Sequence, residues 1–96
     1  MRKIYFGDFR VYVIEHIKAI EAQDPEYQST AWFLLRYLRK IAKNSNPPTT
    51  PGKVGGCMRG LIRFYVDTID EHSELGDRCM KIYAEYRKTL RFSQED

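Results

Sequence analysis

The stretch "PGKVGG", residues 51–56, places three glycines and a lysine ahead of a helical pattern. Loops of that composition can aim backbone N–H groups at a phosphate. The nucleotide-binding form needs GxxxxGK followed by Ser or Thr, after a buried strand. Here Val54 follows Lys53 and the preceding segment is helix-patterned, so what survives is a generic anion site of Gly55, Gly56 and Arg59, with a flexible connector as the plainer reading. "DTIDE" spaces Asp67, Asp70 and Glu71 to share one helical turn, where paired carboxylates suit Mg²⁺ if a phosphate substrate completes the coordination. No second acidic cluster accompanies them, and a solvated or ion-paired face is expected.

His16 and His72 are the only histidines. A general base needs a nucleophile or carboxylate within reach, and Asp70 and Glu71 stand two and one positions from His72, spacings that do not face each other on a helix. Cys57 and Cys79 lie 22 positions apart with neither a CxxC pair nor paired histidines, so reduced, buried thiols are expected in place of a zinc site or a disulfide. These spacings predict no enzyme and no cofactor.

The stronger candidate is electrostatic. Net charge is +3, but residues 24–56 carry +3 while 57–76 carry −2. Between Tyr27 and Asn46 no acidic residue interrupts Arg36, Arg39, Lys40 and Lys43, and Tyr37 stands among them. Lys53 and Arg59 extend the basic set into the next segment, and Arg87, Lys88 and Arg91 recur near the end. Such a face fits an acidic protein surface or a phosphate backbone, with Tyr37 able to stack on a base. The pI of about 8.9 falls just short of the value above about 9 usual for dedicated nucleic-acid domains, and no helix-turn-helix or RNA-binding signature appears. Off the main apolar stripes remain Trp32, Phe33, Leu35, Tyr37, Phe64, Val66, Met80, Tyr83 and Phe92. Four short helices leave part of this set uncovered, and aromatics beside arginines are what interface centres are made of.

The elements that position these residues are read from periodicity. Chain length allows one domain, residues 1–96, and the longest apolar run, "AWFLL", is far short of the roughly 20 residues of a membrane span. Residues 1–10 lack an apolar stretch and a small-residue cleavage site, so a cytoplasmic or trimmed chain is expected. In the first segment Phe9, Val13, Ile17 and Ile20 make one face of a helix capped by Asp8. The alternative is a hairpin turning at Gly7-Asp8, with "KIYF" against "FRVYV". Without a third strand the helix is the expected form.

A second helix is expected from Asp24 as N-cap and Pro25 at its first position, with Tyr27, Ala31, Leu34, Leu38 and Ile41 inward, ending at "NSNPP". "NPPTTPGKVGG", residues 46–56, then reads as a long Pro/Gly loop, either a disordered tether or a segment that docks into a partner. The third helix is expected after Gly56, centred on Met58, Ile62, Tyr65, Ile69 and His72, its acidic end matched by a basic neighbour. The fourth is capped by Ser73 or Asp77, with Leu75, Cys79, Ile82, Tyr86 and Leu90 inward.

The sequence thus predicts an all-α four-helix bundle, with a hairpin plus three helices as the alternative. Function is expected to be non-enzymatic binding of another protein with an acidic surface, as in an inhibitor, an immunity or anti-defence factor, or an adaptor. The partner-binding residues would be Arg36, Tyr37, Arg39, Lys40, Lys43, Lys53 and Arg59. A homo-oligomer is the second option for the surplus apolar surface. A nucleic-acid-binding regulator using the second helix is the alternative function; a membrane partner is not expected.

Overall fold

The computed structural model describes residues 5–46 and 48–94, with 92–94 described by backbone alone. Four helices follow in order: α1 (Gly7–Glu21), α2 (Thr30–Asn44), α3 (Pro51–Thr68) and α4 (Glu74–Gln94). The described residues contain no strand, and none of their helices is long and apolar enough to cross a membrane. Each helix packs on its sequence neighbours, and α1 closes the ring against α4. Contacts at Phe9–Tyr86, His16–Arg78 and Gln23–Glu74 show that α1 and α4 run antiparallel.

α1 buries Phe9, Val13, Ile17 and Ile20, the helical stripe, and excludes the hairpin, of which Lys3 and Ile4 lie outside the described residues. Its N-cap is Phe6, not Asp8. Asp8 sits in the first turn, where a carboxylate still favours the helix dipole. Phe6 is buried and stacks on Tyr86 at 6.5 Å, so the chain enters this helix through an apolar anchor with no side-chain cap.

The start of α2 corrects the sequence reading. Asp24 takes φ 49°, a left-handed conformation that short polar residues tolerate, and its N–H donates to the Glu21 carbonyl as α1 unwinds. It closes the first helix instead of opening the second. A turn through Gln28, also left-handed at φ 64°, leads to Ser29, whose Oγ accepts from the Trp32 N–H at 3.2 Å. Tyr27, expected in the core, is 74% exposed and stands edge-to-face with Trp32 at 4.9 Å. Leu34, Leu38 and Ile41 are buried as expected, and Leu35, expected to be surplus, joins them.

The largest correction falls on residues 46–56. Pro47 lies outside the described residues, but the second half of the stretch is no loop. Thr50 caps α3, its Oγ1 accepting from the Lys53 N–H at 3.4 Å, and Pro51 takes the first position, where a missing N–H costs nothing. Val54 is fully buried, and the inward line becomes Val54, Met58 and Leu61. Placing Val54 and Gly55 in the helix rotates its apolar centre, leaving Ile62 half-buried and outside the core. α3 also stops at Thr68. Ile69 is buried but extended, and His72 is exposed, so neither continues the stripe.

The α3–α4 turn is tight. Ser73 is the fourth helix's cap, accepting from the Gly76 N–H at 3.0 Å. Gly76 is buried, and a Cβ there would overlap the Asp70 carbonyl oxygen. Cys79 and Ile82 are buried in α4, with Leu75, Tyr86 and Leu90 packed against them. Both cysteines are free thiols, and burial pushes Cys79 up to about 11.

Two predictions follow from this packing. Leu61→Ala should cost about 2–5 kcal/mol, whereas Ile62→Ala should cost only about 1 kcal/mol because that side chain is partly exposed and lies outside the core cluster. Denaturant melts of both variants check this, and the reverse order would place α3 in a different rotation. The second concerns His16, whose Nδ1 lies 3.1 Å from the Arg78 guanidinium. Burial, then the positive charges of Arg78 and Lys81, lowers its pKa below the ordinary value. The unfolded chain therefore takes up the proton first, and stability falls as pH drops below about 6.5, until the folded form is protonated too. Melts between about pH 7 and 5 should show that loss in the parent and a smaller one in His16→Asn, which keeps an acceptor near the Nδ1 position.

Candidate functional site

The basic residues of α2 divide between two flanks. Arg39 faces α1, where its guanidinium donates to Glu21 Oε2 at 2.9 Å. Arg36 and Lys40 stand with Phe33 and Tyr37 around a concavity of about 340 Å³ that no carboxylate lines among the described residues. Tyr37 stacks on Phe64 of α3 at 4.7 Å, nearly parallel, so one ring face is already covered. Arg36 lies over Trp32 at 5.4 Å, which stands edge-on to Phe33 at 5.0 Å. Stacking on a ring holds a guanidinium in place while leaving its N–H groups outward. Lys43 is exposed on the same helix, and neither it nor Lys40 has an ion-pair partner among the described residues.

Lys53 and Arg59 belong to α3 and are exposed. Lys53 stands in the first turn, a position set by the helix that replaces the expected loop. Arg59 faces the other neighbour: with Gly55, Met58, Ile62, Arg63, Tyr83 and Tyr86 it lines a groove of about 390 Å³ between α3 and α4. The expected site is therefore not one patch. Arg36, Tyr37 and Lys40 come together, Arg39 is turned away into an ion pair, and Arg59 belongs to a second concavity.

The anion and metal readings lose their geometry. Gly55 is buried in the helix, and the Tyr86 hydroxyl would stand 3.2 Å from a Cβ there, so no glycine loop cradles a phosphate. α3 ends before Asp70 and Glu71, which therefore do not share a helical turn with Asp67. Asp70 Oδ1 instead accepts from the His72 N–H at 2.9 Å, and Glu71 lies 3.5 Å from the His72 ring. No lysine or arginine pairs with these acids among the described residues, contrary to the expected basic neighbour.

Of the surplus apolar residues, Trp32, Phe33, Phe64 and Tyr83 are half-buried, while Val66 at 71% and Met80 at 46% are exposed; the Phe92 side chain lies outside the described residues. Arg63 was not singled out from the sequence, because linear counting placed it in the acidic third quarter. The signal was present: Arg59 and Arg63 stand four apart, hence on one helical face, and Arg87 and Arg91 repeat the spacing. Comparisons with protein-family models, with curated proteins and with solved structures gave no significant match.

Proposed function

We propose that this chain is a non-enzymatic binding protein that engages an acidic surface of another protein through the α2–α3 face. Inhibitors, immunity or anti-defence factors and adaptors all work in that mode. The observation that carries the reading is the concavity of Phe33, Arg36, Tyr37 and Lys40, in which half-buried aromatic rings adjoin exposed cations and no carboxylate intervenes among the described residues. Held rings lose little entropy on binding, and arginine beside them offers a planar fork to a carboxylate. Lys43 and Lys53 add exposed positive charge on the same two helices, which steers an acidic partner and raises its on-rate more than its final affinity. Binding of nucleic acid is the alternative, but Tyr37 has already given one ring face to Phe64 and is a poorer platform for a base.

Reversing two exposed charges, R36E/K40E, should leave folding nearly intact, moving Tm by less than about 4 °C. A pull-down from source cells with parent and variant as baits, each with and without nuclease, tests the function. A protein retained by the parent after nuclease treatment and lost by the variant is the expected result. Loss of the captured material on nuclease treatment, or equal capture by the variant, would contradict it.

A further inference from the structure

We infer that the groove between α3 and α4 is a second docking site, one that receives an acidic, amphipathic helix of a partner protein. The inference rests on reading the chain as a binding protein, but not on the α2–α3 face. The groove floor is formed by Met58, Ile62, Tyr83 and Tyr86. Tyr83 also borders a second concavity of about 760 Å³ along α4, where Met80 and Leu90 add apolar surface. Arg59 and Arg63 stand on the α3 side, Arg87 and Arg91 on the α4 side, and no Asp or Glu lines either part among the described residues.

The separation of charge is built into α4. Glu74 pairs with Arg78 at 3.1 Å and Asp77 with Lys81 at 2.9 Å, each one turn apart. Gln23 of α1 also reaches Glu74, and Arg78 also reaches His16, which ties that pair to the α1 seam. The four arginines around the groove have no ion-pair partner among the described residues. Arg87 is held over the Tyr83 ring at 5.9 Å, its N–H donors left for a ligand.

Two adjoining apolar concavities that share Tyr83, one edged by Arg59 and Arg63 and the other by Arg87 and Arg91, complement a helix with apolar residues at three- and four-residue steps and carboxylates beside them. Nucleic acid fits less well. The two rings of the floor are already engaged, Tyr83 beneath Arg87 and Tyr86 against Phe6 and Phe9, and the methionine, isoleucine and leucine beside them offer bases no planes to stack on. A second copy of this chain would bring an excess of positive charge to a positive groove.

The experiment uses the full chain and a fluorescent 18-residue peptide with leucine at helical spacing and glutamate on the flanks. Three controls accompany it: the same composition scrambled to break the stripe, the patterned peptide with lysine replacing glutamate, and a thymidine 15-mer. Anisotropy gives affinity, and methyl shifts of Met58, Ile62 and Met80 give location. The patterned acidic peptide should saturate with shifts at those methyls. R59E/R87E should weaken it at least about ten-fold and bind the lysine peptide better than the parent does. R36E/K40E should bind the acidic peptide as the parent does, which separates this site from the α2–α3 face. Should R59E/R87E fold poorly, Met80→Glu at an exposed position must produce the loss instead. The inference is overturned by any of four results: no saturation by ~1 mM, equal binding of the scrambled peptide, tighter thymidine binding with the same methyl shifts, or loss through R36E/K40E alone.

Discussion

The arrangement hangs on how α2 ends. The last carbonyls of a helix have no partner within it and must find one elsewhere or meet water. Here side chains reach four carbonyls of the last two turns, of which Ala42 and Asn44 lie past the helix's own hydrogen bonding and Ile41 also accepts from the Ser45 N–H. Asn44 Nδ2 donates to the Lys40 carbonyl at 2.8 Å, and the buried Ser45 hydroxyl donates to Ile41 at 2.7 Å. Arg10 Nε crosses from α1 to the Ala42 carbonyl at 3.1 Å, and the Thr49 hydroxyl reaches back to Asn44. The end of one helix is thereby bound to the start of α1 and to the leader of α3, each such bond being worth on the order of 1 kcal/mol net and more if left unmade when buried. The turn between α2 and α3 is short because it is pinned at this point.

Pinning the turn lets α3 begin at Pro51, and that early start shapes both candidate surfaces. Glycines inside a helix cost on the order of 1 kcal/mol each relative to alanine. α3 carries Gly52, Gly55, Gly56 and Gly60, so burial must compensate. Val54 is fully buried, Gly55 admits the Tyr86 hydroxyl of α4 close to the backbone, and Tyr37 of α2 stacks on Phe64. These two tyrosines line the two concavities, one on each flank of α3. Gly55, one of the residues that made the segment look like a loop, is what lets Tyr86 of α4 approach α3 this closely.

How much of this was legible depended on whether one signal or several competed. The stripe of α4, Leu75–Cys79–Ile82–Tyr86–Leu90, had no rival period, and that of α1, Phe9–Val13–Ile17–Ile20, competed only with a hairpin that lacked a third strand, so both were legible. The start of α2 had two cap signals, Asp24-Pro25 and Ser29-Thr30, and the first was consumed in closing α1. Thr50-Pro51 is the same kind of signal, hidden in a stretch whose prolines and glycines read as a loop. For the basic residues, type and exposure were legible but direction was not. Arg36 and Arg39 differ by less than one turn, yet one lies over an aromatic ring and the other in an ion pair with Glu21, because α3 and α1 pack on opposite flanks of α2. No local pattern in the sequence encodes which neighbour takes which flank.

A single continuous helix that begins at Pro51 separates the two concavities, backing Tyr37 of the first through Phe64 and carrying Arg59 and Arg63 of the second. Amide hydrogen exchange read residue by residue tests this most directly, since protection follows the free energy of local opening. The account predicts that the amides of Val54, Gly55 and Cys57 are protected to within about ten-fold of Leu61, one step of about 1.4 kcal/mol in opening free energy. Exchange of those amides at the rate of unstructured peptide, with α1, α2 and α4 still protected, would contradict it.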